Sequence, residues 1–314
     1  MKKIVTVVGA RPQFIKLAVV SRVLRQQPEF QEVLVHTGQH YDHNMSDVFF
    51  DEMDIPKPDY NLGISGGSHG QMTGQMLMEI EKVLLKEQPD MLLVFGDTNS
   101  TMAAALAAVK LHVPVCHVEA GNRLGTLENP EEVNRIVTDH VASLHLVCTP
   151  SGVEFLKREG FGLSVHLVGD PMYDAFRYYT DRLDGRELRE IVDFDGTPVA
   201  LPSEFYYMTC HRQENTDTDE KLHNIFDAME ALDAPTVYPV HPRNHDRAAR
   251  LVRESGYEKL ILTQPVGYQT SISLVNHAKK IVTDSGGLQR EAFFAGKPCV
   301  TVFDYVGWPE TMRN

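Results

Sequence analysis

Long apolar runs are missing from this chain. No stretch approaches the roughly 18 apolar residues that a membrane-spanning helix needs. The apolar start, MKKIVTVVGARPQF, is short and runs straight into Arg11-Pro12, which reads as a first buried strand rather than a signal peptide. Basic residues are in deficit, with 30 Lys plus Arg against 43 Asp plus Glu and a net charge of −13. So acidic a surface argues against non-specific binding to nucleic acid or membrane, and an anionic ligand needs a local patch of positive potential. Cysteine is sparse: Cys116, Cys148, Cys210 and Cys299 lie in apolar runs and form no CxxC pair. Buried reduced thiols in a cytoplasmic protein are expected, rather than disulfides or a zinc site. A GxGxxG fingerprint is also lacking, and with it the usual sign of a nicotinamide cofactor.

What is present is a regular alternation. The chain has 314 residues, 42% of them hydrophobic, enough for two domains of about 150 residues with sizeable cores. Short β-branched runs (KIVTVVG, EVLVHTG, MLLVFGD, VPVCHVEA, LHLVCTP, SVHLVGD) are separated by segments of helical spacing such as GQMLMEIEKVLLKE and TMAAALAAVKLH. Strands without polar alternation suit a parallel sheet buried on both faces. The fold class is therefore α/β, with two Rossmann-like, doubly wound parallel-sheet domains facing a central cleft. The expected boundaries are 1–172 for the first domain, 173–204 for a linker and 205–314 for the second. The last residues, GWPETMRN, look like the start of a helix, so a closing helix is expected past Asn314.

Ligands of open parallel sheets bind beyond the carboxyl ends of the strands, and polar residues cluster at those ends here. In TDSGGLQRE (283–291) a strand ends before two glycines and a helix. Gly286, Gly287 and the Ser285 hydroxyl suit a phosphate at the helix start, with Glu291 in reach of a ribose diol. Arg11 and Lys16, in GARPQFIK, offer a second anion clamp or a solvated pair. Asp97 ends a buried strand and reads as an acid or base, or as a cap. Glu119 ends the next strand, two residues after His117, and the two could simply satisfy each other. In LENPEEVNR, Asn129 caps a helix and Glu132 fits a capping box, which leaves Glu131 to meet Arg135 four residues on. His211 with Arg212, and His241 with Arg243, follow successive strands and suit a departing phosphate. His36, His40 and His43 lack a convincing fourth metal ligand. Gln71 lies in a Gly-rich stretch that reads as a lid or a mere connection.

The ordered motifs GARPQFIK, HTGQH, GDTNS, HVEAG, PEEVNR, CHRQEN, HPRN and TDSGGLQREA resemble the non-hydrolysing UDP-N-acetylglucosamine 2-epimerase family over nearly the whole chain. The resemblance implies a glycosyltransferase-B-like fold, a homodimer, a UDP-sugar substrate, and neither cofactor nor metal. It places the active-site acids at Asp97, Glu119 and Glu131 and the catalytic histidine at His211. It gives the diphosphate and ribose contacts to Ser285, Gly286, Gly287 and Glu291, with Arg11, Lys16 and Arg135 in the same cleft. Gln39 and His40 fall in the region through which some members are activated by their own substrate. The implied activity interconverts UDP-GlcNAc and UDP-ManNAc, for polysaccharide precursors, by elimination and re-addition of UDP through a 2-acetamidoglucal. The GGSHGQMTG loop resembles a subgroup acting on diacetamido uronic acid sugars. A hydrolysing relative and a non-catalytic nucleotide-sugar sensor are the other readings.

Overall fold

The computed structural model describes residues 1–38, 49–303 and 307–312. They form two compact units, Met1–Ala175 and Phe176–Asn314. The first carries a seven-stranded sheet made of β1 (Lys2–Val8), β2 (Phe30–His36), β3 (Tyr60–Asn61), β4 (Met91–Phe95), β5 (Val115–Val118), β6 (Leu144–Val147) and β7 (Val165–Leu167). Its spatial order is β3-β2-β1-β4-β5-β6-β7, and every pairing is parallel. The second unit carries five parallel strands, β8 (Tyr206–Thr209), β9 (Thr236–Pro239), β10 (Leu260–Thr263), β11 (Ile281–Thr283) and β12 (Cys299–Thr301), in the order β10-β9-β8-β11-β12.

Each sheet follows from its sequence. Val5, Val7, Val33, Val35, Leu92 and Val94 are buried in the centre of the first sheet, against Met76 and Ile80 of helix His69–Glu87 and a run of alanines from helix Asn99–Lys110. Alanine at 103, 104, 105, 107 and 108 lets that helix approach the strands closely. Helices begin where a short polar side chain can take up a free N–H. Thr98, Thr149, Thr218 and Ser285 each accept from the backbone three residues on. The order of the strands reverses between β1 and β4 in one sheet and between β8 and β11 in the other. Beyond the carboxyl ends of these strand pairs a ligand finds an open crevice.

Two features differ from expectation. The pair Tyr60–Asn61 adds a short edge strand that its composition does not announce. Of residues 173–204, expected as a linker, 176–204 fold with the second unit. Phe176 packs on Phe294, Tyr179 meets Tyr268 edge-on, Ile191 is buried, and the Val192 carbonyl accepts from the Gln264 N–H. The charge pattern of this stretch masks four apolar anchors, these three and Phe194, which packs on the second unit's core. Among the described residues no helix is long and apolar enough to cross a membrane. All four cysteines are free, and burial pushes the Cys116 thiol up to about 12.

Phe226, on helix Asp219–Glu230, is fully buried in the core of the second unit against Tyr238 and Tyr257. Phe226→Ala is expected to destabilise that unit by about 3–5 kcal/mol. Urea unfolding measures this, and a loss within error of zero would contradict the packing.

Candidate functional site

In the first unit the reversal point is built around helix Arg11–Gln26. Gln13, buried in its first turn, joins the two strand ends. Its Oε1 accepts from the N–H groups of Gly9 (2.8 Å) and Ala10 (3.0 Å), and its Nε2 donates to the Phe95 carbonyl (2.8 Å) and Thr101 Oγ1 (2.9 Å). One turn on, Lys16 Nζ lies 2.7 Å from Glu119 Oε1, with both side chains buried. Gly96 separates this pair from β4. A Cβ there would come within 3.2 Å of Lys16 Nζ and 3.3 Å of Glu119 Oε1, and its φ is +61°. Both facts call for glycine. Glu119 itself has a φ of 69°, a strained conformation for a residue with a side chain.

Asp97 follows Gly96, and its Oδ2 lies 2.5 Å from Arg135 Nη2. The other guanidinium nitrogen of Arg135 bonds Glu132 Oε2, also at 2.5 Å. Arg135 thus meets Glu132 and Asp97, and the expected pairing with Glu131 gives way to these two. Glu132 does not complete a capping box either. Its carboxylate accepts from the backbone N–H groups of Leu124 (2.9 Å) and Gly125 (3.0 Å), fixing the loop before the helix, while Asn129 alone caps the N–H groups of Glu131 and Glu132. Glu131 is exposed beside this network. Asn134 Nδ2 donates to the Asp97 carbonyl (2.9 Å) and to Asn99 Oδ1 (3.1 Å). His117 and Glu119 do not satisfy each other. His117 Nδ1 lies 2.7 Å from Asp139 Oδ1 and its Nε2 lies 2.7 Å from the Gly96 carbonyl. Burial alone would raise the Asp139 carboxyl, but His117 and Arg123 outweigh it and hold it low.

In the second unit the centre is Asp284, at the end of β11. Its Oδ2 accepts from the N–H groups of His211 and Arg212 (both 2.8 Å), and its Oδ1 lies 2.9 Å from His211 Nδ1. Arg212 Nε donates to the Asp284 carbonyl (2.8 Å), and Arg243 donates to the His211 carbonyl. Burial would raise the Asp284 carboxyl, yet His211 and these backbone donors bring it down to about 2. Ser285 caps helix Gly286–Phe294 by accepting from the Leu288 N–H, and Gly286 and Gly287 open that helix. Glu291 is buried in the second turn beside Tyr268, whose phenol is pushed well above 10 by burial and by the Glu291 charge. Trp308 lies against the helix start. Its ring is within 3.6 Å of where a Gly286 Cβ would stand, and the Arg290 guanidinium sits 3.9 Å over it. His241 caps the turn Pro242–Asn244 through the Arg243 N–H.

The other expected contacts are more dispersed. Arg11 places its guanidinium 4.3 Å over the Phe49 ring. Gln71 serves as the third residue of a capping box with Ser68 at the start of helix His69–Glu87, which accounts for it structurally. Gln39, His40 and His43 lie outside the described residues. Among the described residues Glu119, Cys148 and Asp170 have donor atoms within 4.8 Å of one another. One oxygen of that Glu119 carboxylate, Oε1, is already paired with the Lys16 ammonium. Gln13, Asp139 and Asp284 carry no mark of function in the sequence, and Glu132 reads there only as a capping-box residue. A signal existed for two of them: residues 132, 135 and 139 recur at helical spacing, so the buried stripe of helix Pro130–Val141 is polar.

Two all-parallel units with polar groups at their strand ends place the chain among α/β proteins of the glycosyltransferase-B-like fold. A family model for UDP-N-acetylglucosamine 2-epimerase matches residues 22–314. A UDP-2,3-diacetamido-2,3-dideoxy-D-glucuronate 2-epimerase of Pseudomonas aeruginosa is 46% identical over 316 residues, covering 98% of this chain and 85% of that protein. A UDP-N-acetylglucosamine 2-epimerase of Methanococcus maripaludis is 40% identical over 320 residues, covering 99% and 86%. The crystal structure of a Methanocaldococcus jannaschii UDP-GlcNAc 2-epimerase in complex with UDP-GlcNAc and UDP superposes with a TM-score of 0.88 at 38% identity, covering 99% of this chain and 86% of that one. The chain belongs to the UDP-N-acetylglucosamine 2-epimerase family, and it is an isomerase.

The depressed Asp284 carboxyl carries a pH signature. A group held at about 2 against an ordinary 3.8 contributes stability that is fully present above about pH 4 and lost as the pH falls toward 2. The stability gap between the native protein and Asp284→Asn is expected to shrink by about 2 kcal/mol over that range. Urea unfolding at stepped pH measures it, and a constant gap would contradict the network.

Proposed function

We propose that this chain inverts the acetamido-bearing carbon 2 of a UDP-linked sugar, interconverting UDP-GlcNAc and UDP-ManNAc. The observation that supports it most is that Asp97 and Glu119, at neighbouring strand ends of a family member, are each held by a cation, Arg135 and Lys16. Such pairing fixes where each carboxylate stands at its strand end, which a base acting on a bound sugar requires. The proton on carbon 2 is weakly acidic, so its removal needs a positioned base and a stabilised leaving group. One carboxylate among Asp97, Glu119 and Glu131 takes the proton as UDP departs, leaving the 2-acetamidoglucal. UDP then adds back, and a proton delivered from the opposite face inverts the centre.

The second unit supplies the leaving-group side of this reading. The Asp284 carboxylate beside His211 fixes the orientation of the imidazole, which suits a group that meets charge developing on a departing phosphate. The N–H groups at the start of helix Gly286–Phe294, with Ser285, are donors for the diphosphate. Lys16, Arg11, Arg135, His241, Arg243 and Glu291 are the further contacts proposed for the UDP-sugar.

A second reading has its own support. The 46% identity to the Pseudomonas aeruginosa enzyme favours a 2,3-diacetamido glucuronate as the sugar, with the same chemistry at carbon 2.

Incubation in deuterated water with a panel of UDP-sugars tests both readings. Deuterium is expected at carbon 2 of one panel member, and the preferred sugar separates the two; no exchange with any of them would sink both. Asp97→Asn and Glu119→Gln are expected to lower exchange by about 10²-fold or more while UDP binding, read by calorimetry, stays near that of the native protein. Native rates in both variants would reject their roles.

A further inference from the structure

His117 and Asp139 are both fully buried, so neither can touch a substrate directly. Yet their hydrogen bonds go to the turns that carry the proposed acids. The His117 ring spans from Asp139 Oδ1 to the Gly96 carbonyl, 2.7 Å on either side, and Gly96 precedes Asp97. Asp139 Oδ2 accepts from the Gly121 N–H (3.1 Å), two residues past Glu119, and from Arg123 Nη1 (2.7 Å). Arg123 is held in turn by both oxygens of Glu159. Gly96, which takes the far end of the His117 ring on its carbonyl, is itself flanked by the charges of Lys16 and Glu119.

These turns need holding. Gly96, Glu119 and Gly121 have φ values of 61°, 69° and 81°, and a non-glycine residue stays in that region only when its surroundings fix it. Both His117 nitrogens face oxygen acceptors, so making both bonds takes two ring protons. A buried imidazolium–carboxylate pair is costly to place in a core, and an apolar pair of equal volume would fill the space more cheaply. What the charged pair adds is four directed bonds, two of them to the backbone of the acid-bearing turns.

We propose that His117 and Asp139 are positioning residues that keep the Asp97 and Glu119 turns in a fixed relation for proton transfer at the substrate. The proposal rests on the reading of Asp97 and Glu119 as acid–base groups. Asp139→Asn preserves shape but replaces one acceptor oxygen by a donor facing another donor. It is expected to lower kcat for exchange at carbon 2 by about 10²-fold, with KM and UDP affinity changed by less than about threefold. A purely structural role would instead lower the amount of folded protein and leave the kcat of the folded fraction alone. In a second measurement, ¹⁵N-histidine NMR of the native protein at pH 7 is expected to show protons on both His117 nitrogens, with or without UDP. A native kcat in folded Asp139→Asn, or a single-proton His117 ring in the native spectrum, would overturn the proposal. The spectrum decides alone if Asp139→Asn does not fold. Absence of exchange by the native protein on every UDP-sugar would remove the functional reading and this proposal together. Exchange by the native protein with an unimpaired Asp139→Asn removes this proposal only.

Discussion

Lys16 and Glu119 meet at 2.7 Å with their side chains only 3% and 7% exposed. Each charge gives up its hydration to be there, at several kcal/mol per ion, and only the partner makes that tolerable. Removing one of them leaves the other stranded, which typically costs about 3–5 kcal/mol. The pair therefore ties the first turns of helix Arg11–Gln26 to the end of β5, and it leaves room only for hydrogen at Gly96. Gln13 closes the same corner with a fully used amide. The position of Asp97, one residue past Gly96, is a consequence of these constraints.

The second unit meets the same problem with different chemistry. There a buried carboxylate, Asp284, is answered by two backbone N–H groups and an imidazole rather than by a lysine or an arginine. The difference matters for charge. In the first unit the acids at the strand ends are paired with side-chain cations, Glu119 with Lys16 and Asp97 with Arg135. In the second, Asp284 sits behind His211 and orients it, while the start of helix Gly286–Phe294 presents uncancelled N–H dipoles.

Much of this was legible in the residues. Buried parallel strands announce themselves as Val- and Ile-rich runs, and every strand but the edge pair Tyr60–Asn61 overlaps such a run or its aromatic equivalent. Asp97, Glu119, His211 and Ser285 were identifiable because they end those runs. The partners of these residues were harder to read. Glu132 has a capping-box spacing, yet its carboxylate holds Leu124, Gly125 and Arg135. Asp139 lies 22 residues from His117, and helix Pro130–Val141 has to be docked before the two become neighbours. Residues 176–204 carry enough charge to resemble a tether, and only Phe176, Tyr179, Ile191 and Phe194 betray that they fold onto a core. Local periodicity encodes where a strand stops. Long-range pairing of buried polar groups depends on three-dimensional closure and leaves little trace in spacing.

The sequence contains one tryptophan, and it is Trp308, seated against Gly286 with Arg290 over its ring. Indole emission responds to nearby charge and to the rigidity of its surroundings. Since this sequence holds no second indole, its tryptophan emission, separated from that of the tyrosines by excitation at the red edge, originates beside the first turn of helix Gly286–Phe294. The protein thus carries its own optical probe at that spot, without any label or engineered residue.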